Sequence, residues 1–362
     1  MAREQSPALR RGWTTGACAA AASRAAFAAM MEGRFPDPVA IRLPRGGTAT
    51  FPLALAELRV AGARAGVLKD AGDDPDVTHG ALIIAATAWA APGSGIGFAA
   101  GEGVGTVTRA GLSLAVGEPA INPAPRALIR DVLIDAAAEA GGPPPDVTVT
   151  IAIPGGDRLA EKTMNARLGI IGGLSILGTT GIVVPYSCAS WIHAIHRGID
   201  VARAAGLDHI AAATGATSER AVQRLYGLPD HALIDMGDFA GGTLKYLRRH
   251  PVERLTIAGG FAKFAKLAAG HLDLHSARSR VDIAWLAGVL GELGAGPAIV
   301  EAARAAVGAA EILGIAGDLR EALARTIAWW AREVALATIC GKTAVEVAIV
   351  DRQGSFLARV GN

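Results

Sequence analysis

Apolar and polar positions follow two rhythms along this chain, and the change falls near residues 183–190. Before it, short alternating runs are punctuated by glycine. VAIRLP, the turn Arg45-Gly46-Gly47 and TATFPLAL predict a β-hairpin. ALIIAATAWA and TVTRAGLSLAV predict further strands, separated by PGSGIGFAAGEGVG. RALIRDVLIDAAAEA has apolar residues at helical spacing and predicts a helix from Pro125 to about Ala140, stopped by GGPPP. VTVTIAIP follows with the period of two expected of a strand. Near the start, ACAAAASRAAFAAMM sits between Thr14 or Thr15 and Gly33, which suit the two caps of a helix. Helices set among antiparallel hairpins predict an α+β domain.

After Pro185 helices and strands alternate. WIHAIHRGIDVARAAG, SERAVQRLYG, GGTLKYLRRH and FAKFAKLAAG predict helices; HIAAATG, ALIDMG and RLTIAGG predict strands between them. VEVAIVDRQGSFLARV predicts a closing hairpin turned at Gln353-Gly354. This alternation predicts a parallel, doubly wound sheet. The expected fold is α/β: an N-terminal α+β domain with antiparallel hairpins and glycine-rich loops over residues 1–185, then a Rossmann-like doubly wound domain over residues 186–362.

Composition narrows the function. A length of 362 residues suits two domains, and 51% apolar content supplies material for both cores. Charged residues make up 19% with a net charge of +2, which argues against a nucleic-acid binder with a basic stripe. Cys18, Cys188 and Cys340 lie far apart, so neither a disulfide framework nor a zinc ribbon is expected, and a reducing cytoplasm is. Arg24 interrupts the alanine-rich run that follows Arg10 and Arg11, where an export signal needs an unbroken apolar core. No stretch of about 18 apolar residues free of turn formers suggests a membrane span. A cytoplasmic protein with no nucleic-acid or membrane partner is expected, with a homo-oligomer left open.

Candidate chemistry concentrates at strand ends and in loops. HIAAATGATSER places Thr214 and Gly215 where a buried strand meets a helix start, a position that favours anions or hydroxyls in a doubly wound sheet. The bland alternative is an ordinary helix capped by Thr217 or Ser218. ALIDMGDF ends in Asp235 and Asp238, where an acid can accept hydrogen bonds from ribose hydroxyls. RLTIAGGFAKFAKLAAGHLDLHS brings Gly259-Gly260 to a third strand end, then Lys263 and Lys266, then His271 and His275. The histidines have a spacing that can hold zinc on a helix, but Gly270 is expected to end the helix before them. There is no GxGxxG, no phosphate loop with its lysine and no GxSxG elbow, so NAD, ATP and hydrolase chemistry gain no support. RRGWTTGACA, GEGVGTVT, PAINPAPR and IPGGDRLAEKTMNARLGIIGGLSILGTTGIV are together dense in glycine, threonine and asparagine, and glycine-rich loops let backbone N–H groups approach a ligand. KDAGDDPDVTHG gathers Asp70, Asp73, Asp74 and Asp76 in one loop. Those aspartates suit a cationic cofactor group, a bound cation, a brace for Lys69 and nearby arginines, or turn capping by Asp76 and Thr78.

Taken together, RGWTTGACAAAA, KDAGDDPDVTHG, GEGVGTVT, PAINPAPR, IPGG, EKTMNARLGIIGGLSILGTTGIV, MGDF and AKLAAGHLDLHS resemble the CbiD family of cobalamin biosynthesis, the cobalt-precorrin-5B C1-methyltransferases. The matching blocks run in order from about residue 10 to residue 276; Trp13 stands where tyrosine is common, and the region after about residue 280 matches loosely. The resemblance implies methyl transfer from S-adenosylmethionine to ring carbon C1 of a cobalt corrinoid, giving cobalt-precorrin-6A. It also implies an α/β N-terminal domain and a Rossmann-like C-terminal one. On that basis Thr214, Gly215, Ser218, Asp238, Gly259, Asp73 and Asp74 are the cofactor candidates. Thr14, Thr15, Arg126, Lys162, Asn165, Arg167, Thr179, Thr180, Lys263 and His271 are the candidates for the anionic substrate. No catalytic acid, base or nucleophile is singled out, as suits a displacement that needs alignment and exclusion of water. Cobalt arrives in the substrate, so no protein metal site is expected; His271 or His275 would be the axial ligand if there is one. The rival functions are a non-catalytic corrinoid-binding protein and an NAD(P)H-dependent reductase of the same pathway.

Overall fold

In the computed structural model, which describes residues 9–361, the alanine-rich run forms helix α1 (Thr15–Glu32). The Thr14 side chain accepts a hydrogen bond from the Ala17 N–H, and Gly33 closes the far end at φ 74°. Both predicted caps are therefore in place. Alanine dominates because α1 is buried nearly all round, and small side chains let it lie close to its neighbours.

The chain divides into two units, Met1–Ser187 and Cys188–Asn362, the division falling two residues later than the expected one at 185/186. In the first unit, β1 (Val39–Arg42) and β2 (Thr48–Phe51) form the predicted hairpin. Strands β3 (Leu55–Arg59), β4 (Gly62–Leu68), β5 (Leu82–Trp89), β6 (Ile96–Ala100) and β7 (Val147–Ala152) form a five-stranded sheet in the order β3-β4-β5-β7-β6. All neighbours are antiparallel except β6, which runs parallel to β7. Helix α2 (Pro123–Glu139) packs with α1, and α1 covers β4 and β5. Their core joins Phe27, Ile83, Ile129, Val149 and Ile151.

Two strand expectations differ. TVTRAGLSLAV pairs only at Thr106–Val107 and then turns, because Gly111 and Gly117 take left-handed backbone. IGFAA, read as part of a separating loop, is the edge strand β6.

The second unit opens with α3 (Cys188–Ala204) and continues β8 (His209–Ala213), α4 (Ala216–Tyr226), β9 (Leu233–Asp235), α5 (Ala240–Arg249), β10 (Arg254–Gly260) and α6 (Phe261–Ala268). Helices α7 (Ile283–Glu292), α8 (Pro297–Arg304), α9 (Ala309–Ile315) and α10 (Arg320–Ile339) follow, a run that the sequence patterning had not resolved. The chain ends in the hairpin β11 (Ala344–Val350) and β12 (Phe356–Val360). Strand order is β9-β8-β10-β11-β12; the first four strands are parallel and β12 is antiparallel to β11. One sheet face carries the large core shared by α3, α5, α6 and α10. The other carries α4, with Val222 against Ala211, Leu233, Ala258 and Ala348. The fold is thus mixed α/β, with parallel and antiparallel sheets.

Candidate functional site

The strand order of the second unit reverses between β8 and β10: the crossover through α4 leads to β9 on one side, and the next through α5 returns to β10 on the other. A crevice outside the carboxyl ends of the strands is expected at such a reversal. Thr214 and Gly215 directly follow β8, and Gly259 and Gly260 end β10. The two ends are tied by the Thr214 N–H, which donates to Ala258 O at 2.9 Å. A Cβ at Gly259 would lie 2.4 Å from Thr214 Oγ1, so only glycine fits there. Gly215 and Gly260 differ, since a Cβ on either would meet no atom within 4 Å and the backbone borders open space.

These two glycines are the N-caps of α4 and α6, and neither helix has a side-chain cap. The sequence allowed Thr217 or Ser218 as the cap of α4; instead the buried Ser218 hydroxyl donates to Gly215 O at 2.8 Å. Neither glycine can cap its helix with a side chain, and both helix starts border open space, which suits a carboxylate or hydroxyl.

Asp238 follows β9, and its carboxylate is paired with the Lys263 ammonium of α6. The sequence assigned these two residues to different ligands, but the structure joins them. Lys266, read as sharing the ligand face with Lys263, is buried and donates to Leu274 O at 2.9 Å. Burial, with Lys263 nearby, holds the Lys266 ammonium below the usual lysine range. Gly270 (φ 88°) ends the segment after α6, so His271 and His275 stand on a loop and are exposed. His275 Nδ1 accepts from the Ala277 N–H at 3.2 Å. Among the described residues no group of three or more His, Cys, Asp or Glu side chains could hold a metal ion.

Two further features of this unit were missed. Trp191 of α3 donates its indole N–H to Asp235 O at 3.1 Å, and its ring lies against Gly237 while staying half-exposed. Nothing in the sequence marks that indole, because its neighbours come from β9 and the loop after it. A cavity of about 460 Å³ lies beyond the same loop, between α3 and α5. Phe239, Ile192 and Leu272 line its apolar part, and Lys245, Arg249 and Arg278 bring positive charge. Gly241, Lys245 and Arg249 recur every four residues in GGTLKYLRRH, a periodicity that could have revealed one helix face.

In the first unit most candidates are engaged in holding loops together. Thr15 Oγ1 donates to Leu177 O and accepts from Leu177 N–H, each at 3.1 Å. The Arg126 guanidinium donates to Ile121 O, Pro119 O and Glu118 Oε1 at 2.7, 3.1 and 3.2 Å. Asn165 is buried, its Nδ2 donating to Gly173 O at 2.9 Å. Thr180 Oγ1 bonds both backbone groups of Ile182. Arg167 is half-buried and also has an interaction of its own. Lys162 and Thr179 are exposed.

The glycine-rich loops were expected to offer N–H groups to a ligand; several N–H groups here pair with neighbouring loops instead. Gly105 donates to Leu174 O and Leu174 to Gly103 O, each at 2.9 Å. A Cβ on Gly173 would lie 2.3 Å from Gly103 backbone, so glycine here permits backbone-on-backbone packing.

The four aspartates form a clasp. Arg10 grips Asp70 through both guanidinium nitrogens, and its own N–H donates to Asp73 Oδ2 at 2.6 Å. Asp74 Oδ1 accepts from the Tyr186 N–H at 2.8 Å. Asp76 takes the buried Lys69 ammonium at 2.5 Å on one oxygen and both Thr78 donors on the other. Of the roles the sequence left open, bracing and turn capping are the ones observed. The hydrogen bonds from Arg10 bring Asp70 down to about 2. Burial would raise Asp76, but Lys69 and Thr78 outweigh it and hold the carboxyl below its ordinary range. Cys18 lies in the same core, where burial pushes its thiol up to about 12, so it is an inert packing residue.

The comparisons with known proteins cover both units. The family described as CbiD matches residues 2–185, and CbiD, C-terminal domain, matches residues 273–361. A cobalt-precorrin-5B C(1)-methyltransferase of Brucella anthropi is 55% identical over 97% of this chain and 96% of its own. The chain belongs to the CbiD family. A relative of the same name from a Bradyrhizobium species is 67% identical over 78% of this chain and 75% of its own. A crystal structure of the cobalamin biosynthesis protein CbiD from Archaeoglobus fulgidus is 30% identical, covering 75% of this chain and 83% of that one, with a TM-score of 0.41. For this CbiD chain, then, family membership comes from sequence comparison over both units, and the open strand ends and the clasp come from its own geometry.

Proposed function

We propose that this CbiD chain methylates ring carbon C1 of cobalt-precorrin-5B, with S-adenosylmethionine as methyl donor, and that the donor occupies the crevice of a Rossmann-like second unit. Relatives at 55% and 67% identity carry the name cobalt-precorrin-5B C(1)-methyltransferase, which supports the reaction. The donor's place is supported by one observation above the rest: two helix N-termini without side-chain caps face open space where the strand order reverses. That space accepts a ligand without rebuilding the backbone, so the residues present fit the group.

When bound, the donor supplies an electrophilic methyl on a sulfonium centre. The protein's part is to hold and orient. First-turn N–H groups at Gly215 and Gly260 receive a carboxylate or hydroxyls. The paired Asp238 and Lys263 present an acceptor and a donor at the mouth of the crevice. Trp191 offers an indole face for stacking an aromatic base. Thr214 and Gly259 keep the two strand ends in register, and Ser218 fixes the turn at Gly215. Asp73 and Asp74 remain candidates for a cationic group, secondary to their structural bonds. On the substrate side, exposed Lys162, Thr179 and His271 are better placed to meet an anion than Thr14, Thr15, Arg126, Asn165 or Thr180, whose polar groups already serve the fold. Arg167 and Lys263 would have to exchange existing partners. Carbon nucleophile and sulfonium need in-line alignment and exclusion of water, not a strong base.

Calorimetric titration with S-adenosylhomocysteine, with NADPH as control, tests this assignment. Saturable binding of the first alone is expected. Binding of NADPH alone would overturn it in favour of a reductase.

A further inference from the structure

The cavity between α3 and α5 lies in the second unit beside the loop that carries Asp238, and none of its lining residues is among those assigned to the methyl donor. Its charge is one-sided. Lys245 and Arg249 project from exposed positions one turn apart on α5, and among the described residues neither is held in a salt bridge. Arg278 enters from the loop after α6, with Asp273 as its partner at 2.8 Å and Cys188 Sγ at 3.8 Å. Three cations therefore face one carboxylate.

The wall behind them is built from stacked rings. The Tyr246 ring is sandwiched between His196, at 3.8 Å and 11°, and His250, at 4.2 Å and 24°. Its hydroxyl donates to Asp200 Oδ1 at 2.7 Å. The backbone is packed closely there as well. A Cβ on Gly241 would fall 2.9 Å from Leu272 Cβ, and the Gly241 N–H donates to Leu272 O at 2.8 Å. An apolar floor beneath unpaired cations suits a ligand with a flat apolar body and anionic arms.

We propose that this cavity is the anchoring subsite for the carboxylate arms along one edge of the tetrapyrrole substrate, with Lys245 and Arg249 as the principal contacts. The assignment rests on the corrinoid function proposed above. A volume of about 460 Å³ accommodates an edge of a macrocycle rather than the whole disc. Forked guanidinium and ammonium donors match carboxylates. Phe239 lines the cavity, and its chain neighbour Asp238 pairs with Lys263 of α6 instead.

The test is calorimetry on the full chain with a chemically stable cobalt corrin bearing free carboxylates, its fully esterified counterpart and inorganic phosphate as controls. The free acid is expected to bind the wild type and the ester is not. The double variant Lys245→Ala, Arg249→Ala should weaken the acid by about tenfold or more, while Lys245→Arg retains it. S-adenosylhomocysteine affinity should be unchanged in every variant, which also reports an intact second unit. Unchanged affinity of the acid in the double variant, equal binding of the ester, or displacement by phosphate at matching concentration would overturn the subsite. Loss of S-adenosylhomocysteine binding in the wild type, with acid binding intact and lost in the double variant, would sink methyl transfer and still support the subsite.

Discussion

Gly259 shows how closely the crevice is built at the level of single residues. Its neighbour is Thr214 from another strand, so the requirement for glycine is set by a contact 45 positions away in the chain. The sequence marked both residues as strand ends, but it could not show that one excludes a side chain from the other. Gly259→Ala brings a Cβ to 2.4 Å from Thr214 Oγ1 and must spread the two strand ends. The expected outcome is a loss of S-adenosylhomocysteine affinity of about tenfold, measured by calorimetry with the melting curve as a control for folding. Gly260→Ala, where the space is open, has no such clash, and an equal effect of both variants on folding would contradict this explanation. Arg126 is the opposite lesson. Its residue type suggested an anion contact, yet three acceptors of its own loop take its donors.

Among the elements, helices and buried strands were legible where one face supplied the period, as in α1, α2, β7 and the alternation from α3 to α6. Strand β6 was not, because IGFAA is partly buried on both faces and flanked by glycines, which removes the alternation. The acidic loop was conspicuous in the sequence, but its partners Arg10 and Tyr186 come from either end of the first unit. As an element it has a pH signature. Asp70 and Asp76 are both held below their ordinary value of 3.8, Asp70 at about 2. A lowered folded value means stabilisation that is full above about pH 4 and is lost as pH falls through the folded value. Asp76→Asn leaves the buried Lys69 without its counter-charge and should cost about 3 kcal/mol at neutral pH. Urea unfolding should show the gap between wild type and variant shrinking from pH 5 toward pH 2. A gap that stays constant over that range would show that the Asp76 charge does not brace Lys69.

For the whole molecule, the change in rhythm near residues 183–190 lies close to the division between the two units, and the expected strand ends at Thr214 and Gly259 lie side by side in the parallel sheet. Strand order could not be read from the sequence, nor could the cavity between α3 and α5, since three separate elements must meet before its charge is visible. Family membership rests on the sequence comparisons, and the proposed place of the methyl donor rests on the two helix starts without side-chain caps. The most direct test of the central claim is a single-turnover reaction of the purified chain with cobalt-precorrin-5B and S-adenosylmethionine carrying a carbon-13 methyl, with the product read by NMR. One labelled methyl on ring carbon C1 is the expected result. An unlabelled corrinoid, or label on another ring carbon or on cobalt, would contradict it.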